Sequence, residues 1–189
     1  MPERQLIAPE EFATERLLLR KPRSEDAPLI FSAYARDPEV VRYLTFLPHR
    51  EIREAEEAVS RFLENWRTGQ SYCWLIFRRE SAELLGAISA RQDQGINFGY
   101  ALARPFWGQG FMSEAVTAVV DWAFSAPGVF RVWAVCDLEN IASARLLERN
   151  GFHQEGILRK WSLHPNVSDV PRDCFCYAKT RDRISGSQL

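Results

Sequence analysis

Gly108 and Gly110 stand one residue apart in the run Trp107-Gly-Gln-Gly-Phe-Met-Ser113, between the strand-like Phe98 to Leu102 and the first turn of a helix. Glycine accepts left-handed backbone angles and lets a ligand come close to the chain. The helix that follows turns unpaired N–H groups and the positive end of its dipole back toward the glycines. That arrangement can cradle a phosphate or a pyrophosphate. A lone Gly-x-Gly is also an ordinary tight turn, so its weight depends on its surroundings. Phe111-Met112 follow Gly110, so the lysine and Ser/Thr of a nucleotide-binding P-loop are missing and a phosphotransferase is poorly supported.

The elements that must position this turn follow from periodicity and punctuation. Thr14 to Arg20 reads as a first strand, stopped by Lys21-Pro22. Ser24 is a candidate N-cap for a helix reaching Ala35, and Val40, Val41 and Leu44 suggest a further short helix after Asp37-Pro38. Ile52, Ala55, Val59, Phe62, Leu63 and Trp66 recur at helical spacing. Tyr72 to Phe77 and Leu84 to Ala90 form a hairpin signature, with Phe98 to Leu102 as the next strand. Ser113 to Phe124 is a helix, Arg131 to Cys136 a strand, and Ala142 to Arg149 a helix ended by Asn150-Gly151. Ile157 to Leu163 and Cys174 to Ala178 are the last two strands. Seven strands and their helices make an α/β (α+β) mixed sheet covered by helices. A single domain over 1–189 is expected, with its core at 10–180 and a frayed tail at 181–189.

Composition narrows the function. The 189 residues are 46% hydrophobic and 12% aromatic, enough for one good core. Lys plus Arg total 24 against 25 Asp plus Glu, a net charge of −1 that gives no support for nucleic-acid or anionic-membrane binding through bulk charge. No apolar run reaches a membrane span and the start lacks a signal-peptide core, so a cytoplasmic protein is expected. Cys73, Cys136, Cys174 and Cys176 read as reduced, buried thiols, with no spacing for a metal site. His49, His153 and His164 share no spacing and read as surface or loop residues.

Together these motifs resemble the GNAT superfamily of acyl-CoA-dependent N-acyltransferases, and most the branch that acetylates ribosomal-protein N-termini. Four stretches carry the resemblance: Thr14-Glu-Arg-Leu-Leu-Leu-Arg20 with Ser24-Glu-Asp26; Leu84-Leu-Gly-Ala-Ile88; Gly99-Tyr-Ala-Leu102 with Trp107-Gly-Gln-Gly-Phe-Met-Ser-Glu-Ala115; and Asn140-Ile-Ala-Ser-Ala-Arg-Leu-Leu-Glu-Arg-Asn-Gly-Phe152. The last is the most specific. One position departs: the family often has Gln or Arg three residues before the first glycine, where this chain has Pro105, with Arg104 just before it.

The resemblance implies a mostly antiparallel sheet whose central strands, Gly99 to Arg104 and Val132 to Asp137, splay apart to admit the pantetheine arm of acetyl-CoA. Backbone groups of Leu102 and Ala103 would pair with that arm, and Arg104, Trp107, Gly108, Gln109, Gly110, Phe111, Met112 and Ser113 would surround the pyrophosphate. An amine attacks the thioester directly, an N–H near Leu102 meets the developing oxyanion, and Ser143 gives a proton to the thiolate. Asn140 would hold the arm or a water. That thiolate, with a pKa of about 8.5, needs only modest help. An α-amine, pKa about 7.7 to 8, is partly neutral at pH 7, whereas a lysine near 10.4 needs roughly 3 to 4 kcal/mol more. Asn97 and Phe98 stand where the family often keeps a carboxylate, which leans toward an α-amine; Asp137, Glu139 and a water relay stay open as bases. Tyr43 and His164 are candidate acceptor contacts, Tyr100 reads as a strand residue, and Cys136 reads as a structural thiol near the thioester. The expected acceptor is a peptide N-terminus or a small molecule, and the expected state a monomer or homodimer. The alternatives are an acyl-CoA-binding or sensory module without turnover, and an acetyltransferase for a small amine or an antibiotic.

Overall fold

A computed structural model describes residues 7–181. Eight strands form one sheet in the order β1-β2-β3-β4-β5-β6-β8-β7. The strands are β1 (Glu11–Ala13), β2 (Leu17–Arg20), β3 (Tyr72–Arg78), β4 (Leu84–Gln92), β5 (Ile96–Leu102), β6 (Arg131–Asp137), β7 (His153–Ser162) and β8 (Arg172–Thr180). The eighth strand comes from the N-terminus. Of the expected Thr14 to Arg20 strand only Leu17–Arg20 is β2; Thr14 to Arg16 form the turn of a hairpin with β1, where the Thr14 N–H donates to Leu17 O at 2.9 Å. β1 has only three residues, too few for alternation to mark it in the sequence.

Helices flank the sheet. Ser24 to Ala35 is three consecutive pieces rather than one helix: a 3-10 turn, α1 (Ala27–Ile30) and a π turn (Phe31–Ala35). A π turn widens the helix locally and is common beside functional sites. α2 (Pro38–Val41) is capped by the Asp37 carboxylate, which accepts from Glu39 N–H at 2.9 Å. α3 (Ile52–Thr68) opens on a Glu51/Glu54 capping box and ends on Gly69 in the left-handed region. It packs on α1 and β3.

α4 (Phe111–Ser125) buries Phe111, Met112, Ala115, Val116, Val119, Val120 and Ala123, one continuous stripe against β2, β4 and β6. α5 (Ile141–Arg149) packs on β7. Leu17, Trp74, Ile88 and Leu147 are fully buried at the centre of the core. Among the described residues, no helix is long and apolar enough to cross a membrane. Arg181, the first residue of the expected frayed end, donates to the carbonyls of Phe124, Ala126 and Val129; 182–189 lie outside the described residues.

Candidate active site

Two elements build the glycine turn. A 3-10 turn over Arg104–Phe106 follows β5 and delivers the chain to Gly108 and Gly110, at φ +73° and +80°, and Gly110 caps α4. A Cβ on Gly108 would meet nothing within 4 Å, so that side of the turn is open. A Cβ on Gly110 would approach Nη2 of Arg16 at 3.4 Å. Arg16 donates to Gln109 O at 3.1 Å and to the Glu114 carboxylate at 2.7 Å, which tethers the β1–β2 loop to the first turn of α4. Sequence reading missed Arg16, because its contact with the turn spans 93 positions. Phe111 and Met112 turn their side chains into the core, so only their N–H groups can face a ligand. Ser113 hydrogen-bonds Asn150, and Gln109 donates to Pro105 O at 2.7 Å.

β5 and β6 run parallel and pair only at Ile96↔Val132 and Asn97↔Trp133. Beyond that seam the strands separate: Phe98–Leu102 keep β4 on one edge, and Ala134–Asp137 keep β8. The Asn97 amide donates to Trp133 O at 3.3 Å and closes the seam, so it is no base. Ala103 N–H donates to Leu85 O at 2.7 Å. The alternation of an antiparallel ladder then turns the N–H and C=O of Leu102 to the opposite edge, into the gap. There the Trp107 indole N–H takes the Leu102 carbonyl at 2.7 Å, which leaves the Leu102 N–H as the presented donor. Ala103 is fully engaged, its carbonyl accepting from Phe106 N–H. Gly86 permits this approach of β4 to β5, since a Cβ there would lie 2.1 Å from Ala101 O.

Across the gap, Asn140 Oδ1 accepts from Ser143 N–H at 3.2 Å and caps α5. Ser143 Oγ sits 2.7 Å from the Tyr100 hydroxyl. Sequence pattern assigned Tyr100 only to a strand; the structure brings its ring across the gap to the serine. Burial raises the Tyr100 phenol well above its ordinary range, with Ser143 opposing, so it stays a neutral donor. Cys136 also faces Ser143, and burial pushes its thiol up to about 12, so it is not a thiolate.

A single cavity of about 570 Å³ joins this gap to the region beyond it. Asn97 to Ala101, Ala134 to Cys136, Asn140 and Ser143 line it together with Tyr43, Phe46, His49, Phe62 and His164. The structure thus brings Tyr43 and His164 together with Ser143, while Leu102 to Ser113 stand at the turn. His164 is buried rather than on the surface, at 5% exposure. Its Nε2 lies 3.7 Å from Cys174 Sγ and 3.8 Å from Asp137 Oδ2. Burial lowers its pKa, partly offset by Asp137, which favours a neutral ring.

Asp137 is fully buried, and burial disfavours its charge. The Arg172 guanidinium, at 2.6 Å, and the Glu139 N–H, at 2.9 Å, outweigh that and hold its carboxyl below the usual range. Arg172 also binds Glu139 at 2.8 Å, so both candidate carboxylate bases are already committed. Asn166 completes this wall, donating to Val41 O at 2.8 Å and Phe46 O at 2.7 Å.

A family model described as an acetyltransferase (GNAT) domain matches residues 16–153. The N-acetyltransferase YoaA of Bacillus subtilis (strain 168) is 33% identical over 173 residues, covering 89% of this chain and 97% of that protein. A ribosomal-protein-serine acetyltransferase of Escherichia coli (strain K12) is 29% identical over 118 residues, covering 60% of this chain and 63% of that protein. The crystal structure of a GNAT-family acetyltransferase from Bacillus anthracis superposes with a TM-score of 0.78 at 22% identity, covering 90% of this chain and 98% of that one.

Proposed function

The chain belongs to the GNAT acetyltransferase family and is an N-acetyltransferase, and from that premise we propose that it acetylates an α-amine, such as a peptide N-terminus, in the cavity beside Ser143. The observation that carries this reading is the joined cavity: the gap between β5 and β6, the Ser143 hydroxyl and the Tyr43/His164 wall share one volume.

The donor is acetyl-CoA, which supplies an activated thioester carbonyl. The residues fit it: the glycine turn is open on its ligand side, and the edge of β5 beyond Asn97 has no strand partner. The N–H groups from Gly108 to Ser113, with Arg104 and Trp107 at the rim, would hold the pyrophosphate. The Leu102 N–H is the donor for negative charge on the acyl oxygen. Ser143 would give a proton to the departing sulfur, and the proton that the attacking amine releases would return to the serine by way of Tyr100, 2.7 Å behind it, so that both hydroxyls end neutral. The Asn140 carboxamide oxygen fixes the start of α5 and so the serine, leaving its NH2 for the ligand.

The acceptor class rests on the missing base. Asn97 is held by Trp133, and Asp137 and Glu139 are held by Arg172. A site without an available carboxylate suits an amine that is already partly neutral, which an α-amine is and a lysine is not. Tyr43 and His164 line the wall against which that amine would lie. The homology to a ribosomal-protein-serine acetyltransferase supports the same choice.

The test measures acetyl transfer to a peptide with a free N-terminus and no lysine, and to an N-terminally blocked peptide carrying one lysine, beside calorimetric binding of acetyl-CoA. Transfer to the first at roughly ten-fold or greater advantage is expected. Faster transfer to lysine would overturn the α-amine reading, and binding without any transfer would favour a silent acyl-CoA module.

A further inference from the structure

The charge lining the cavity has one sign. Among the described residues, Arg61 and Arg91 line it, and no Asp or Glu does. Arg91 is paired with Asp93 at 3.7 Å. The other arginines within α3 are paired inside the helix, Arg53 with Glu57 and Arg67 with Glu64. Arg61 makes no ion pair or hydrogen bond among the described residues. The nearby Glu54 is spent on the helix cap, accepting from the N–H groups of Arg50 and Glu51.

Beside Arg61 in the same wall stands His49. Its Nδ1 is buried and has no hydrogen-bond partner, while its ring packs 5.3 Å from Phe46. A buried polar atom without a partner is unusual in a folded protein because it is costly to leave unsatisfied, and the exposed Arg61 guanidinium beside it is free to take a ligand. A ligand held by Arg61 would supply the partner that His49 Nδ1 lacks.

We propose that the acceptor amine also carries an acidic group, a carboxylate or a phosphate, which Arg61 and His49 receive. This rests on the reading of the cavity as the acceptor site. A guanidinium is the preferred partner of either anion, since its planar fork meets two oxygens at once. The charge argument points the same way. A simple amine or polyamine enters as a cation and meets two arginines with no carboxylate to receive it. An amine that brings its own anion enters with no net charge. The same positive wall disfavours the ammonium form, which delivers the neutral nucleophile in a site without a free base. Tyr43, Phe46 and Phe62 supply apolar surface for the remainder of the molecule.

The experiment uses three matched pairs that differ in the acidic group: alanyl-glutamate α-amide, with its γ-carboxylate free, against alanyl-glutamine amide, phenylalanine against phenylalaninamide, and 2-aminoethyl phosphate against ethanolamine. The acidic member of at least one pair is expected to show about a ten-fold higher kcat/KM; which pair responds identifies a peptide side chain, a free α-carboxylate or a phosphate as the source. Arg61→Gln should erase that advantage and Arg61→Glu reverse it, while the acetyl-CoA Kd stays within about two-fold. Equal or better turnover of every neutral member, or an acidic preference that survives Arg61→Glu, would overturn the proposal. Should no amine be acetylated, the α-amine reading fails by itself. The same pairs titrated calorimetrically into the CoA-loaded protein then decide this one: tighter binding of an acidic member, lost in Arg61→Gln, upholds it, and equal binding refutes it.

Discussion

On the β5–α4 side of the cavity the ligand-facing groups are main-chain N–H groups, aimed by two left-handed glycines and by the alternation of the β4–β5 ladder. On the opposite side, from Tyr43 to His49 and around His164, they are side chains on irregular backbone. That wall is held by bonds such as those from Asn166 to Val41 and Phe46. The difference teaches where each kind of specificity is stored. A donor shared by a whole family can be gripped by backbone geometry, which tolerates changes of side chain. An acceptor peculiar to one enzyme must be gripped by side chains, which changes of sequence can retune.

The comparison breaks most severely at Gly110. Arginine there would force a left-handed angle on a branched Cα and drive a long side chain toward Arg16 and the open turn. Acetyl-CoA affinity should fall by roughly two orders of magnitude or more in calorimetry, with the circular dichroism unchanged. Near-normal affinity in a folded Gly110→Arg protein would mean that the donor is held elsewhere.

Next in size is the acceptor wall's buried ion pair. Arg172→Met leaves Asp137 charged and unpaired in the interior, at a cost of about 3 to 5 kcal/mol in urea unfolding. The pH dependence gives the sign. In the native protein the folded pKa of Asp137 lies below its unfolded value. Its stabilisation is therefore complete above about pH 4 and is lost as pH falls through the lowered folded value. Without Arg172, burial raises that pKa instead, so the variant should be most destabilised near neutrality and recover relative to wild type on acidification. A deficit that does not change with pH would show that Asp137 gains little from the pair.

Ser143→Ala sharpens the comparison, because it removes chemistry from the junction of the two sides. A fall in kcat of roughly 10- to 100-fold is expected, with the acetyl-CoA Kd within about two-fold, and Tyr100→Phe should cost less. An unchanged single-turnover rate would take the serine out of the proton-donor role. The smallest effect is on Asn166. Changing it to alanine strands two main-chain carbonyls and should cost about 1 to 2 kcal/mol, with a several-fold rise in acceptor KM and no change in acetyl-CoA affinity. Equal weakening of both ligands would show that the two sides are not separable.

The same division decides what the sequence made legible. The sheet, α3, α4 and α5, and the glycine turn were readable because each is written in local periodicity, caps or glycine spacing. Ser143 was readable because it belongs to a contiguous motif at a helix start. Arg16, the Tyr100–Ser143 contact and the burial of His164 were not. Each joins positions far apart in the chain through a single side chain, and no local pattern records such a meeting. The β1–β2 hairpin escaped for a different reason, brevity. The broken first helix, with its π turn, escaped because Ser24 to Ala35 carries an ordinary helical stripe whose internal hydrogen-bond spacing is set by packing.

Among the described residues, only two residue pairs stitch β1–β5 to β6–β8 through the sheet. The molecule is therefore a pair of half-sheets with a weak zipper between them, and an occupant of the gap lends the rungs the chain itself omits. Amide exchange at Phe98–Leu102 and Ala134–Asp137 should slow most when the donor binds, and heat resistance should rise with its concentration.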